Sequence, residues 1–333
     1  MGNKSFLSLL FYFSISLYLC TWHVHSREIV DTEGRRICVP DEVSRVVVLT
    51  GTCIETIYIL GEIKKVVAIS KNMMDNPFYP EVIKELKSLP IVAQDLRNLD
   101  IEKIVALKPD LLIGIGPEHP FGMAKEQIAA LENHKIPVVL LHLESLDENY
   151  YSIEVLGKIF QKEEKAQALI THMKRIQAEI DSKVASVPKN KRPKAVMLSQ
   201  RPTLVLGSTW RDQDIILKAG GINVASEIKT FVGEVSVEKL VSWNPDVITI
   251  VGTAPYGSSD IIKMWQLRHV NAVKEKRVYK YSYKITGLFT PRVVLLLAWH
   301  ASKFHPDLKI DWLKKTQIFF KKFYGIHFEP TSD

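Results

Sequence analysis

The chain has 333 residues, 46% apolar, 24% charged and 9% aromatic, which is ordinary globular usage and excludes a disordered or collagen-like polymer. Forty-four Lys and Arg against 37 Asp and Glu leave a net charge of +7 spread along the chain, so a nucleic-acid partner is not implied. Three cysteines, Cys20, Cys38 and Cys53, are too few and wrongly spaced for a zinc cluster or a disulfide scaffold, and any metal is expected to arrive inside a ligand.

Residues 1–26 read as an export signal. Lys4 is the only charge before Arg27, and Phe6 to Cys20 is a 15-residue apolar run. That run is short of the roughly 20 residues that span a bilayer but fits the apolar region of a signal peptide. Val24-His25-Ser26 places a small residue at a cleavage point. An uncleaved anchor is the competing reading, and a lipoprotein attached at Cys20 is opposed by the bulky Leu17-Tyr18-Leu19 before it. The mature chain, from about Arg27, is expected outside the cytoplasm. In that oxidising setting Cys38 and Cys53 could pair, or both could be small buried hydrophobes.

From Glu28 to Val39, with Asp31-Thr32-Glu33-Gly34 in the middle, the pattern predicts a β-hairpin. Strands follow at 45–49, 65–69, 110–115 and 138–141, and again at 194–198, 246–251 and 277–281, with helical stretches between. A helix at 212–219 is closed by Gly220-Gly221. Alternation of this kind is α/β. Residues 148–185 hold no Pro and one Gly and carry apolar residues at helical spacing, predicting a helix that crosses between two halves or packs within one, with a break near Gln161.

The body of the chain repeats itself. Residues 99–116 (LDIEKIVALKPDLLIGIG) and 235–252 (VSVEKLVSWNPDVITIVG) share six of 18 positions at a constant offset of 136. Composition alone would give about one identity. Each copy reads as a short helix stopped by a Pro, then a strand apolar enough to be covered on both faces. The duplication predicts two similar α/β lobes: residues 27–147, a linking helix over 148–190, and 191–333 with terminal helices.

These features together resemble the substrate-binding proteins of ABC importers for iron complexes and vitamin B12. The pieces that carry the likeness are DTEGRRICVP, RVVVL before GTCIETIYILG, LPIVAQ before NLDIEKIVALKPDLLIG, LGKIFQKEEKAQALI, GSTWRDQDIILKAGGINV, SVEKLVSWNPDVITI, AVKEKRVYKY and LLLAWHASKFHPDL. Their order and spacing match, rather than any single motif. The resemblance implies two lobes joined by one long helix, a ligand cleft between them, no chemistry and no cofactor of the protein's own. It further implies a monomer that delivers an iron chelate, a ferric siderophore or haem, to an ABC permease/ATPase complex, with a corrinoid as the alternative cargo.

In α/β lobes the loops at strand carboxyl ends converge on a crevice. Those loops carry Thr52 and Cys53, Met74, Tyr79, His119, Arg201, Trp210, Tyr256, Tyr283 and Arg292, the candidate ligand-binding residues. Aromatics give contact area with little entropy to lose, Arg forks onto carboxylate or phosphate, and Tyr, His or Met can ligate a chelated iron directly. The start of the helix at Ile54 could hold an anion or be plainly capped. Arg292 follows Pro291 at a helix start, an unfavourable end for a cation, which makes it a better cleft candidate than most. Glu102 and Glu238 occupy equivalent repeat positions near helix starts, either as ordinary first-turn charges or, as the resemblance implies, as one docking carboxylate per lobe for arginines of the permease. An enzyme on the same architecture would need a nucleophile with its base, and no GxSxG, HExxH or P-loop occurs. A ligand sensor shares every pocket feature.

Overall fold

An Asp in a turn that needs its own acceptor opens the described chain. Strands β1 (Ser26–Val30) and β2 (Arg36–Pro40) pair antiparallel. Buried Asp31 accepts from the Glu33 and Arg35 amides at 3.0 Å each and from the Leu140 amide at 3.2 Å, so one carboxylate both shapes the hairpin and fastens it to the body. The coordinates are a computed structural model describing residues 26–119, 121–141, 145–208, 211–230, 232–285, 287 and 290–329. Residues 1–25 of the expected export signal, Cys20 among them, and Trp210 lie outside the described residues. Among the described residues no helix is long and apolar enough to cross a membrane.

In chain order the first half continues with β3 (Val46–Val48), α1 (Gly51–Leu60), β4 (Val66–Ser70), α2 (Asn72–Asp75), α3 (Phe78–Val82), β5 (Ile91–Ala93), α4 (Ile101–Ala106), β6 (Leu111–Gly114), α5 (Lys125–Asn133) and β7 (Val138–Leu140). Its five strands form a wholly parallel sheet in the order β5-β4-β3-β6-β7. Then come α6 (Leu146–Phe160) and α7 (Glu163–Ala185), and the second half: β8 (Lys194–Leu198), β9 (Leu204–Leu206), α8 (Arg211–Lys218), β10 (Ile222–Asn223), β11 (Val232–Glu234), α9 (Val237–Trp243), β12 (Val247–Ile250), α10 (Ser258–Ile262), α11 (Asn271–Lys274), β13 (Val278–Lys280), α12 (Val293–Phe304) and α13 (Trp312–Phe323). Its sheet runs β11-β9-β8-β12-β13, with β10 beside β8 and only β9 reversed against its neighbours. The architecture is two α/β lobes, each with its own sheet.

The two copies of the repeat fall in different sheets at equivalent places, α4 to β6 and α9 to β12. Its shared residues do the same work twice. Asp110 Oδ2 accepts from the Ser44 and Arg45 amides at 2.8 Å each, and Asp246 Oδ2 accepts from the Lys194 amide at 2.9 Å. Each carboxylate therefore holds the start of the adjacent central strand, β3 or β8. Just before, Lys108 and its counterpart Asn244 both take a left-handed turn, φ 47° and 45°, which ends the helix and aims the chain into the strand.

The strands' apolar runs divide between two faces. Val46 and Val48 join a cluster that runs on through α6, α7 and α12 into the second sheet, whereas Val47 and Leu49 pack on the opposite face with Ile104 and Leu112. The expected long helix is present but divided at Gln161, whose φ of 55° closes α6. Gly157 permits the fold-back: a Cβ there would lie 2.6 Å from that of Ala166. The second piece, α7, has 23 residues, about 35 Å of rigid rod.

His300 lies fully buried on α12, its Nδ1 2.9 Å from the Leu296 carbonyl and its Nε2 without a partner, and burial pushes its pKa down to about 4. His172 on α7 is also pushed down to about 4, chiefly by burial. The unfolded chain takes up these protons near pH 6.5 while the native protein refuses them, so stability present above that pH is lost as acid is added, by up to about 1.4 kcal/mol per pH unit for each histidine. Urea midpoints should fall steadily from pH 7 to 5, and a flat profile would contradict the assignment.

Candidate functional site

The groove between the lobes is built at the carboxyl ends of both sheets. After β3, Thr50 caps α1, its Oγ1 accepting from the Cys53 amide at 3.3 Å. Within α1 (GTCIETIYIL) Glu55 is the single charge, and it is completely buried. It is met from the other lobe. Arg292, at the start of α12 and equally buried, donates Nε and Nη2 to the two Glu55 oxygens at 2.9 Å each. The Arg292 Nη1 donates to the Lys284 carbonyl, the Tyr324 hydroxyl donates to Glu55, and the Phe78 ring lies 3.5 Å from the guanidinium carbon. Tyr324, just beyond α13, also stacks on Tyr58 of α1 at 6.2 Å, so the second lobe returns a helix end to the first. Burial, followed by the Glu55 charge, holds the Tyr79 and Tyr324 hydroxyls well above the ordinary phenol range.

Nearer solvent a second set of contacts crosses the groove. Glu81 of α3 accepts from the Tyr283 hydroxyl at 2.7 Å and pairs with Lys284 at 3.0 Å, both beyond β13. The Tyr283 bond, followed by the Lys284 bond, lowers the Glu81 pKa, while Tyr283 is pushed up to about 12, first by burial and then by Glu81. Within the second lobe Tyr256 donates to the Ser199 carbonyl at 2.7 Å and Gln200 to Thr253 at 2.9 Å, tying the loops after β8 and β12 together. After β6, buried His119 accepts at Nδ1 from the Phe121 amide at 3.1 Å, and the Phe121 ring, 53% exposed, lies 5.8 Å from the imidazole.

The candidate ligand-binding residues thus divide. Tyr283, Tyr256, His119 and exposed Arg201 stand on strand-end loops, with Arg201 paired to Glu234 at 2.7 Å, and half-buried Met74 lies on α2, just after β4. Thr52 is buried on α1 and Tyr79 against it; a Cβ on Gly51 would lie 2.4 Å from the Tyr79 hydroxyl, so that ring is seated on the helix start. Two expectations are corrected. Cys53 points into the core with Ile54 and Ile57, and burial pushes its thiol up to about 12, so it is not a ligand at the mouth. It is a free thiol, which excludes its pairing with Cys38. Arg292 is committed to Glu55 and presents nothing to a cargo; the anion it needs at a helix start comes from the protein itself. Glu55, Glu81, Lys284 and Tyr324 were not singled out from the sequence. A lone Glu inside an otherwise apolar ten-residue helix was the available signal for the first of them.

Glu102 and Glu238 are both exposed, each in the first turn of its helix behind a capping Asp100 or Ser236. The two carboxylates occupy equivalent positions, one in each lobe, in the first turns of α4 and α9. Among the described residues no three His, Cys, Asp or Glu side chains group as a metal site.

Known proteins share this fold. The chain is 26% identical over 281 residues to the uncharacterized ABC transporter substrate-binding lipoprotein YvrC of Bacillus subtilis, covering 83% of this chain and 85% of that one. It is 26% identical over 205 residues to the vitamin B12-binding protein of Vibrio campbellii, covering 61% and 69%. The solved structure of the Haemophilus influenzae molybdate-binding protein MolA superposes with a TM-score of 0.81 at 23% identity, covering 92% of this chain and all of that one. The periplasmic binding protein profile matches residues 46–283, from the first strand of the first sheet to the loop beyond the last strand of the second, and the chain belongs to that family.

Proposed function

We propose that this protein is the extracytoplasmic substrate-binding component of an ABC importer, in which lobes formed by residues 27–147 and 191–333 hold an iron chelate, a ferric siderophore or haem, and hand it to the permease through Glu102 and Glu238. No bond is made or broken; binding and release are the function. The observation that carries a large, partly apolar cargo is the loop after β6, where an exposed Phe121 stands beside His119 at a strand end. An exposed aromatic face suits a planar or ring-bearing ligand and gives nothing to a small hydrated oxyanion. The same rim accepts a corrinoid, the alternative within this class, and the likeness to a vitamin B12-binding protein supports it.

The test is the absorbance spectrum and mass of whatever copurifies from the native source, followed by thermal unfolding of the stripped protein with haemin, a ferric hydroxamate, cyanocobalamin or molybdate. A true cargo at 100 times its dissociation constant adds about 2.7 kcal/mol. Stabilisation by cyanocobalamin alone selects the corrinoid. Stabilisation by molybdate alone replaces the chelate with an oxyanion and overturns the reading of Phe121.

A further inference from the structure

The two ties across the groove differ in kind. Arg292 and Glu55 have no exposed side-chain surface, so parting them strands two charges in apolar surroundings, and salt in the solvent does not screen them. Glu81 and Lys284 are 47% and 27% exposed, and a pair of that sort is weak and readily screened. The ties are also linked. Phe78 and Glu81 sit one turn apart on α3, the first beneath the Arg292 guanidinium and the second at the rim. Lys284 gives its carbonyl to Arg292 and its ammonium to Glu81.

We propose that the Arg292–Glu55 pair is the fulcrum about which the lobes swing, and that Glu81 with Tyr283 and Lys284 is a clasp at the rim that must part before cargo can pass. A motion that breaks the exposed tie and keeps the buried one opens the groove from one side only. The pair is held by the cluster that runs through both sheets and α7, whose Phe78 and Tyr324 touch it directly. The role of the clasp in cargo passage rests on the function proposed above, but the motion itself is measurable in the ligand-free protein, so the two can fail separately.

Nitroxide labels on Glu118→Cys and Glu234→Cys, exposed sites at the strand ends of opposite lobes, report the opening by electron-electron distance measurement. Cys53 is buried and stays unlabelled in the folded protein, and Cys38→Ser is carried in every labelled variant. With the clasp intact at low salt the distribution should be narrow. Glu81→Gln, and separately Lys284→Met, should move weight to longer separations and raise the open fraction several-fold. Salt at about 1 M, where the screening length shrinks to about 3 Å, should do the same to the intact clasp and little to Glu81→Gln. Circular dichroism establishes that each variant is folded. An unchanged distribution in both variants and at high salt would overturn the clasp. A distribution that broadens equally on Glu234→Cys paired with a second label in its own lobe would overturn it too, since the motion would then not lie between lobes.

Discussion

Arg292→Met should lower the free energy of unfolding by about 3–5 kcal/mol, because it strands the buried Glu55 carboxylate with only the Tyr324 hydroxyl left to meet it. The double variant Glu55→Leu with Arg292→Met should recover most of that loss, since two apolar side chains in a closed space need no compensation. Urea unfolding with a shared slope measures both. The single substitution is the informative one, for a loss within about 0.5 kcal/mol is what a surface change gives and would mean that water reaches the pair. Tyr324→Phe is a milder version, leaving Glu55 bound to Arg292 but short of one donor.

The second large effect concerns delivery. Glu102→Ala with Glu238→Ala should abolish docking to the permease while ligand affinity and thermal stability stay near their original values. Each carboxylate lost from a hydrogen bond to a charged partner costs about 1.5–3 kcal/mol, so the pair should weaken docking by about 100-fold or more. Neither glutamate holds the fold: both are exposed, and the caps of their helices come from Asp100 and Ser236. Surface binding to the transporter in lipid discs, beside a ligand titration of the free protein, gives the two numbers. Docking that survives both substitutions would leave the glutamates as ordinary first-turn charges favoured by the helix dipole. Loss of ligand affinity would place them in the cargo site instead.

Much of the fold could be read from local pattern. The repeat was legible because its parts are local: a helix, a Pro that ends it, and an apolar strand; the bonds that the Asp110 and Asp246 side chains accept from residues 65 and 52 positions away were not. The hairpin at Asp31, the helix closed at Gly220 and the break at Gln161 were likewise local. Strands β5, β9, β10 and β11, of two or three residues each, were missed. The site was read less well, for a different reason. Position in a strand-end loop says that a residue is near the groove, not which way its side chain turns. Thr52 and Cys53 adjoin at the start of α1, yet the thiol faces the core. Arg292 was read as a cleft residue because a cation is unfavourable at a helix start, but the anion that meets it is Glu55, 237 positions away, a distance over which sequence carries no pairing signal.

That separation bears on how the molecule assembles. Glu55 meets Arg292 across 237 residues and Tyr324 across 269, whereas each sheet is completed by connections within its own half. Units of this size form their own cores first, and contacts between remote segments follow once those cores exist. Until that final step both charges are hydrated and the groove has no second wall. A chain whose halves are each complete but not yet joined would show full helix and strand content by circular dichroism and hold no cargo, so recovery of ligand binding should lag behind recovery of secondary structure during refolding.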